Sequence, residues 1–177
     1  MKIILIKHAE TEWNKASIYQ GWLDSPLTTS GKNQAKELAK FIKNQADVII
    51  SSDLGRSIET AMILSANSGV IKGRNLFYFR ERCFGILEGK CKWKIMETNP
   101  DWFIHNKLND NASVPGIEDI EIFKSRLLAG ANYLKKLGNK KVAIVTHGGV
   151  IKLFYVMFRS AEKIPEIKSC SIHCFNI

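Results

Sequence analysis

Lys141-Val142-Ala143-Ile144-Val145-Thr146-His147-Gly148-Gly149 decides how this chain folds. Val142 to Val145 is an unbroken apolar run with no polar alternation, which predicts a strand buried on both faces. His147-Gly148-Gly149 reads as a turn, and Val150 to Met157 begins a helix. A buried strand, a tight turn and a helix make one unit of an α/β sheet.

The same unit recurs at the other end of the chain. Lys2-Ile3-Ile4-Leu5-Ile6 is a short apolar run bounded by charge, and it predicts a second central strand. Residues 30–45 place Ala35, Leu38, Ala39 and Ile42 at helical spacing, with Ser30 as the candidate N-cap. Asp47-Val48-Ile49-Ile50-Ser51 predicts another buried strand, and residues 55–67 a helix whose face carries Ile58, Ala61 and Met62. Leu76 to Phe79 is expected to be a third strand after that helix. Residues 117–137 predict the longest amphipathic helix, with Ile120, Phe123, Leu127, Ala131 and Leu134 on one stripe. Ser169 to Phe175 is expected to be a last edge strand. The expected fold is α/β: a single-domain three-layer sandwich over 1–177, with a mostly parallel central sheet and helices on both faces. Short helices are expected in an insertion at about 92–112, where Asn99-Pro100 breaks the pattern.

Length and composition fit one domain. The 177 residues are 45% hydrophobic and 24% charged. No apolar run approaches the ~20 residues a membrane helix needs. The apolar stretch Ile3–Ile6 is too short for a signal peptide, so a cytoplasmic protein is expected. Cys83, Cys91, Cys170 and Cys174 form no CxxC pair, which argues against zinc and for reduced thiols. The net charge is +9, but the lysines are scattered: Lys32, Lys36, Lys40 and Lys43; Lys90, Lys92 and Lys94; Lys135, Lys136, Lys140 and Lys141. They read as solvated faces, and with no nucleic-acid-binding signature beside them, nucleic acid is not an expected partner.

His8 and His147 each follow a predicted strand, and each precedes small residues. Ligands of open α/β sheets bind beyond the carboxyl ends of the strands. A lone histidine there is more often a hydrogen-bonded structural residue. Two at matched strand ends point to a site.

Lys7-His8-Ala9-Glu10-Thr11-Glu12-Trp13-Asn14 resembles the signature Arg-His-Gly-Glu-Thr-x-x-Asn of the histidine phosphatase superfamily. Further segments resemble that family in its order: Tyr19-Gln20-Gly21-Trp22-Leu23-Asp24-Ser25-Pro26-Leu27-Thr28, Ser51 to Ala61, Glu81 to Gly89, Pro115 to Glu118, and Thr146-His147-Gly148-Gly149. Together they span residues 1 to about 150, and their order is far more specific than any one of them. The resemblance implies a phosphoglycerate mutase-like fold and phosphoryl transfer through a histidine nucleophile.

The resemblance also assigns roles. His8 matches the nucleophile, whose neutral imidazole nitrogen attacks phosphorus and splits one displacement into two. Glu81 matches the proton donor and acceptor, and partial burial is expected for it. Its bland alternative is a surface carboxylate paired with Arg80 or Arg82. His147 matches the second histidine, a catalytic donor to the phosphoryl oxygens. Lys7, Asn14, Gln20, Gly21, Arg56, His147 and Gly148 match phosphate-binding positions; the planar fork of Arg56 suits two oxygens at once. Glu88 could orient a neighbour or simply hold a turn, and Glu10 supports its loop. No metal or cofactor is implied, because the nucleophile and the cations come from the protein.

Two departures stand out. Lys7 replaces arginine, offering a point charge instead of a fork, and Ala9 replaces glycine, adding a methyl where the backbone could need special dihedrals. If the lost fork weakens transition-state binding by ~1–3 kcal/mol, the rate falls roughly 5- to 150-fold.

The leading expectation is therefore a phosphatase for a small phosphorylated substrate, acting through phosphohistidine. Two alternatives stay open: a phosphoglycerate mutase-type isomerase, and a weakly active or non-catalytic module that binds a phosphate ligand or phosphoprotein. Trp93, Trp102, Phe103 and His105 could line a specificity pocket or form a covering cluster. A homodimer is compatible with an edge strand in the tail, though nothing in the sequence compels one.

Overall fold

Lys2–Lys7 forms β1, and its four central residues are fully buried, as an apolar run between two charges requires. In the computed structural model β1 lies between β6 (Val142–Thr146) and β7 (Ile172–Asn176). With β2 (Val48–Ser51) and β3 (Ile71–Asn75) they form a five-stranded sheet of order β3-β2-β6-β1-β7. All neighbours are parallel except β1 and β7, so the sheet is mostly parallel with one antiparallel edge. The structure describes residues 1–105, 107–110, 112–136, 138, 141–159 and 164–177.

Helices cover both faces. Ile4 and Ile6 of β1 and Ala143 and Val145 of β6 pack with α2 (Thr29–Ile42) and α3 (Gly55–Ser68). The alternate residues, Ile3, Leu5, Val142 and Ile144, pack on the other side with α5 (Ile120–Lys135) and α6 (Gly148–Arg159). Each fully buried Ile, Leu or Phe in these two clusters contributes about 1.5–3 kcal/mol relative to exposure. The three-layer α/β sandwich expected from the sequence is therefore the fold observed.

Several local expectations need correction. Leu76–Phe79 is not a strand: the third strand is Ile71–Asn75, and Phe77–Phe79 is a turn of 3-10 helix. β3 sits at the sheet edge with Ile71 exposed, so it needs no apolar run and escapes a search for one. Phe79 is buried from the turn instead. The cap of α2 is Thr28, not Ser30; its Oγ1 accepts the Gly31 N–H at 2.8 Å. The 92–112 region holds α4 (Lys92–Thr98) and a 3-10 turn at Pro100–Trp102, but also an unexpected hairpin of β4 (Phe103–Ile104) and β5 (Lys107–Leu108). A short helix, α1 (Glu12–Lys15), follows β1, and a second turn of 3-10 helix covers Gly85–Leu87. β7 is the expected edge strand. Lys140 and position 137, the end of the expected long helix, lie outside the described residues. All four cysteines are free thiols. No helix among the described residues is long and apolar enough to cross a membrane.

Candidate active site

β1, β2 and β6 run parallel, so their carboxyl ends meet at one edge of the sheet. His8 follows β1, Ser52 follows β2 and His147 follows β6. The His8 N–H donates to the Thr146 carbonyl at 2.8 Å and the Ser52 N–H to the Val145 carbonyl at 2.8 Å, which continues the ladder past the strands. The period-two alternation places His8 on the side of Ile4 and Ile6, and His147 on the side of Ala143 and Val145. Both rings therefore leave the sheet on the α3 face, with centroids 5.2 Å apart.

His8 is 4% exposed, and its Nδ1 lies 2.8 Å from the Ala9 carbonyl oxygen. A carbonyl only accepts, so Nδ1 carries the hydrogen and Nε2 keeps its lone pair. Burial, and then the Arg56 guanidinium, hold the imidazole well below its ordinary pKa; the Ala9 hydrogen bond opposes them and Lys7 adds to them. A neutral ring with a fixed tautomer is the form a nucleophile needs. Ala9 causes no backbone strain: it is not among the residues with positive φ, and its methyl packs with Leu27 and Ala35.

His147 is fully buried. Its Nδ1 accepts from Arg56 Nη2 at 3.2 Å, and its Nε2 lies 2.9 Å from Ser52 Oγ and 3.2 Å from Ser57 Oγ. A guanidinium only donates, so the hydrogen is on Nε2. Burial, then Arg56 and His8, hold this imidazole too well below its ordinary pKa.

Arg56 enters from the first turn of α3. Nη2 donates to the Gly21 carbonyl at 2.7 Å, and Nη1 to the Leu23 carbonyl at 2.8 Å and to Asp24 Oδ1 at 2.7 Å. Asp24 also accepts the N–H groups of Gly55 at 2.6 Å and Arg56 at 3.3 Å. It thereby caps α3, whose own N-cap residue, Leu54, has no side chain that could. Arg56 Nε is buried without a hydrogen-bond partner among the described residues, and so is Gln20 Oε1.

The loop that supplies those carbonyls is held by Glu88. Its carboxylate accepts the N–H groups of Trp22 at 3.0 Å, Leu23 at 3.2 Å and Phe84 at 2.8 Å. Gly21 has φ +54°, and a Cβ there would lie 2.0 Å from Glu88 Oε1, so only glycine fits. The sequence left Glu88 undecided and missed Asp24, Ser52 and Ser57, although all of them lie within the resembling segments. Each of them has a partner between 31 and 95 residues away, and no local pattern encodes that.

Glu81 is half-buried and reaches the start of α6. Oε2 accepts the Gly149 N–H at 3.1 Å, and Oε1 accepts the Arg82 N–H at 3.0 Å. A side chain at Gly149 would collide with this carboxylate, since its Cβ would stand 2.2 Å from Oε1. The surface pairing with Arg80 or Arg82 does not occur: Arg80 pairs with Asp53 and Arg82 with Asp110. Arg126 fixes the segment that carries Glu81 by donating to the carbonyls of Phe77, Tyr78, Arg80 and Glu81 at 2.9 to 3.3 Å. Trp22 Nε1 holds the Glu81 carbonyl at 2.9 Å.

The other expected site residues are less uniform. Lys7 donates from Nζ to the Ile167 carbonyl at 3.4 Å while its charge acts on His8. Asn14 closes a capping box on α1, with Oδ1 accepting from Thr11 N–H and Oγ1; its Nδ2 is the group left to donate. Gly148 opens α6 beside His147, with open space where a Cβ would point. Trp102 and Phe103 pack on the cluster of Tyr19, Leu87 and Val114, whereas Trp93 and His105 are exposed. A groove of about 600 Å³ lined by Trp22, Phe77, Tyr78, Cys83 and Ile122 lies elsewhere and contains neither histidine. No group of three or more His, Cys, Asp or Glu among the described residues could hold a metal ion.

The chain is similar in sequence and fold to several known proteins. Phosphoglycerate mutase-like protein 4 of Arabidopsis thaliana is 31% identical over 99% of this chain and 79% of its own length. The metal-independent phosphoserine phosphatase of the same plant is 27% identical over 99% and 76%. Among solved structures, Bacillus stearothermophilus YhfR superposes with a TM-score of 0.88 at 28% identity, covering 99% of this chain and 91% of that one. Phosphoglycerate mutase from Bacillus anthracis gives 0.85 at 26%, covering 98% and 86%. The family model for the histidine phosphatase superfamily, branch 1, matches residues 3–175, and the chain belongs to that superfamily.

Proposed function

We propose that this protein hydrolyses small phosphomonoesters through a phosphohistidine formed on His8. The observation that carries this reading is the His8–Ala9 hydrogen bond at 2.8 Å, which puts the hydrogen of the neutral ring on Nδ1 and leaves the Nε2 lone pair available. In the first step Nε2 bonds to phosphorus and the ester P–O bond breaks. A protonated Glu81 gives its hydrogen to the leaving oxygen. In the second step Glu81 takes a proton from water, the water oxygen bonds to phosphorus, and the N–P bond breaks. The sum is ester plus water giving alcohol plus phosphate, with His8 and Glu81 restored.

The charge on the transferred group is met by the cations and donors at the sheet edge. The entering oxygens take the Arg56 hydrogen now given to His147. Ser52 and Ser57 can turn their hydroxyls to donate to Nε2, which lets His147 carry its hydrogen on Nδ1 and give it to the phosphoryl group.

Hydrolysis of 4-nitrophenyl phosphate without added metal, compared in the native chain and His8→Ala, tests the proposal. Turnover that vanishes in the variant is expected, together with phosphate trapped covalently on His8 in the native chain. Equal turnover in both proteins refutes the assignment. The similarity to phosphoglycerate mutases favours one second reading, phosphoryl transfer between hydroxyls, which a requirement for a bisphosphorylated primer would reveal.

A further inference from the structure

Ser169-Cys170-Ser171-Ile172-His173-Cys174-Phe175 runs into β7, where burial alternates: His173 and Phe175 are buried, Ile172 and Cys174 exposed. Phe175 is the apolar residue a core-facing position favours. His173 is not, and a buried imidazole is costly unless its nitrogens are hydrogen-bonded. Nδ1 lies 3.0 Å from Tyr155 Oη of α6, and Nε2 lies 2.8 Å from Ser171 Oγ. The Tyr155 hydroxyl has no other partner among the described residues, so it donates to Nδ1, and Nε2–H donates to Ser171. Burial, and then Arg159, hold the ring below its ordinary pKa, in the neutral form that this chain of bonds requires.

Ser171 closes a four-residue turn. Its N–H donates to the Lys168 carbonyl at 3.1 Å, and Cys170, the third residue of that turn, has φ +59°, where glycine is the usual residue. A residue with a side chain stays there only when its surroundings hold it. The turn is bound in its place to the end of β1. The Lys7 N–H donates to the Ser171 carbonyl at 3.2 Å, the Cys170 N–H donates to the Lys7 carbonyl at 3.1 Å, and Lys7 Nζ reaches the Ile167 carbonyl at 3.4 Å. One segment thus holds Lys7 at its N–H, its carbonyl and its ammonium, and His8 follows directly. The Nζ contact is long and an ammonium has three hydrogens, so Lys7 keeps donors for a phosphoryl oxygen.

We propose that His173 is a positioning residue: through Ser171 it ties the 167–171 segment to α6, and that segment aims Lys7 Nζ at the phosphoryl group on His8. This rests on the phosphomonoesterase reading, and the test separates the two. Amide hydrogen exchange of the whole chain, followed by NMR, reads the segment without any substrate. In His173→Phe the Lys7 and Cys170 N–H groups are expected to exchange about fivefold faster, the effect of one lost hydrogen bond, while Ala143 to Val145 of β6 keep their rates. His173→Gln can still donate to Ser171 and should stay near the native rates. Ser171→Ala, a change at a half-buried turn position, should match His173→Phe and gives the same reading if that variant fails to fold. The kcat/KM for 4-nitrophenyl phosphate is expected to fall about fivefold in His173→Phe and in Ser171→Ala, and to recover in His173→Gln. In a Lys7→Met background neither change should lower it further, whereas a general loss of stability would act in both backgrounds.

Unchanged exchange at Lys7 and Cys170, equal acceleration across β1, β6 and β7, or a fivefold loss of kcat/KM that persists in Lys7→Met overturns the positioning role. Absence of 4-nitrophenyl phosphate turnover in the native chain overturns the phosphomonoesterase reading instead. The calorimetric dissociation constant of inorganic phosphate then replaces kcat/KM in the same variants, beside the same exchange rates, and absence of phosphate binding overturns the positioning role as well.

Discussion

Asp24 Oδ1 stands 2.7 Å from Arg56 Nη1, and the same carboxylate accepts the backbone N–H groups of Gly55 and Arg56. One side chain thus caps α3 and aims the guanidinium that grows from its first turn. The remaining Arg56 hydrogen bonds go to Gly21, Leu23 and His147. Both terminal nitrogens of the fork are engaged before any phosphate arrives, which makes its direction a property of the fold.

Asp24→Asn keeps an acceptor and removes the charge. A charge-assisted hydrogen bond exceeds a neutral one by about 1 kcal/mol, so kcat/KM for 4-nitrophenyl phosphate is expected to fall about 5- to 10-fold. Asp24 is partly exposed, which places the loss toward the lower figure. Steady-state kinetics decides. A loss under about twofold means that the Gly21 and Leu23 carbonyls suffice to hold Arg56.

His8 and His147 predict how stability varies with pH. Both are held well below their ordinary pKa in the folded state, first by burial and then by Arg56. The unfolded chain therefore binds more protons than the folded one once pH falls below about 6.5, and stability drops as pH falls from there toward the folded values. Above that point neither group changes stability. His173, lowered by burial and then by Arg159, acts in the same direction. Each such histidine contributes a slope of up to about 1.4 kcal/mol per pH unit in that window. Urea denaturation between pH 7.5 and 5 should show this loss, and His8→Gln should make it shallower. An unchanged slope in the variant would place the proton uptake elsewhere.

The strands that carry the two histidines were legible because a strand buried on both faces has to be an unbroken apolar run, as Ile3–Ile6 and Val142–Val145 are. Period two then put both rings on one face. β3 was not legible: as an edge strand it is free to be Ile-Lys-Gly-Arg-Asn, while the apolar Leu76–Phe79 beside it forms a turn. Family resemblance singled out His8, Glu81, Arg56 and His147 as candidates but could not say what holds them. Glu88 reaches 66 residues back to Trp22, and Asp24 reaches 32 forward to Arg56; such pairings exist only after folding. Ala9 shows the reverse case, a suspicious departure that the backbone accepts without strain.

Lys7→Arg tests whether the lysine limits the enzyme. Arginine would add a planar fork beside His8 while keeping the charge that acts on its ring. kcat/KM for 4-nitrophenyl phosphate is expected to rise by roughly 5- to 150-fold, the rate equivalent of about 1–3 kcal/mol. An unchanged or lower value means that the point charge is already sufficient, or that the Ile167 carbonyl claims the new group as it claims Lys7 Nζ.

Arg126 and Glu118 form a buried pair, Nε to Oε1 at 2.9 Å and Nη2 to Oε2 at 2.8 Å, with both side chains under 10% exposed. Arg126→Met leaves the Glu118 carboxylate buried without its partner and frees four carbonyls of the 77–81 segment. Breaking such a pair from one side costs about 3–5 kcal/mol, which for a chain this long lowers Tm by roughly 6–20 °C. Adding Glu118→Leu removes the stranded charge and should recover part of that loss, since the desolvated carboxylate accounts for much of it. Activity should not recover with stability, because the carbonyls that place Glu81 remain untethered. Calorimetry and kcat on the single and double variants separate the two effects. Recovery of both together would mean that Trp22 Nε1, which holds the Glu81 carbonyl at 2.9 Å, positions the acid without help from Arg126.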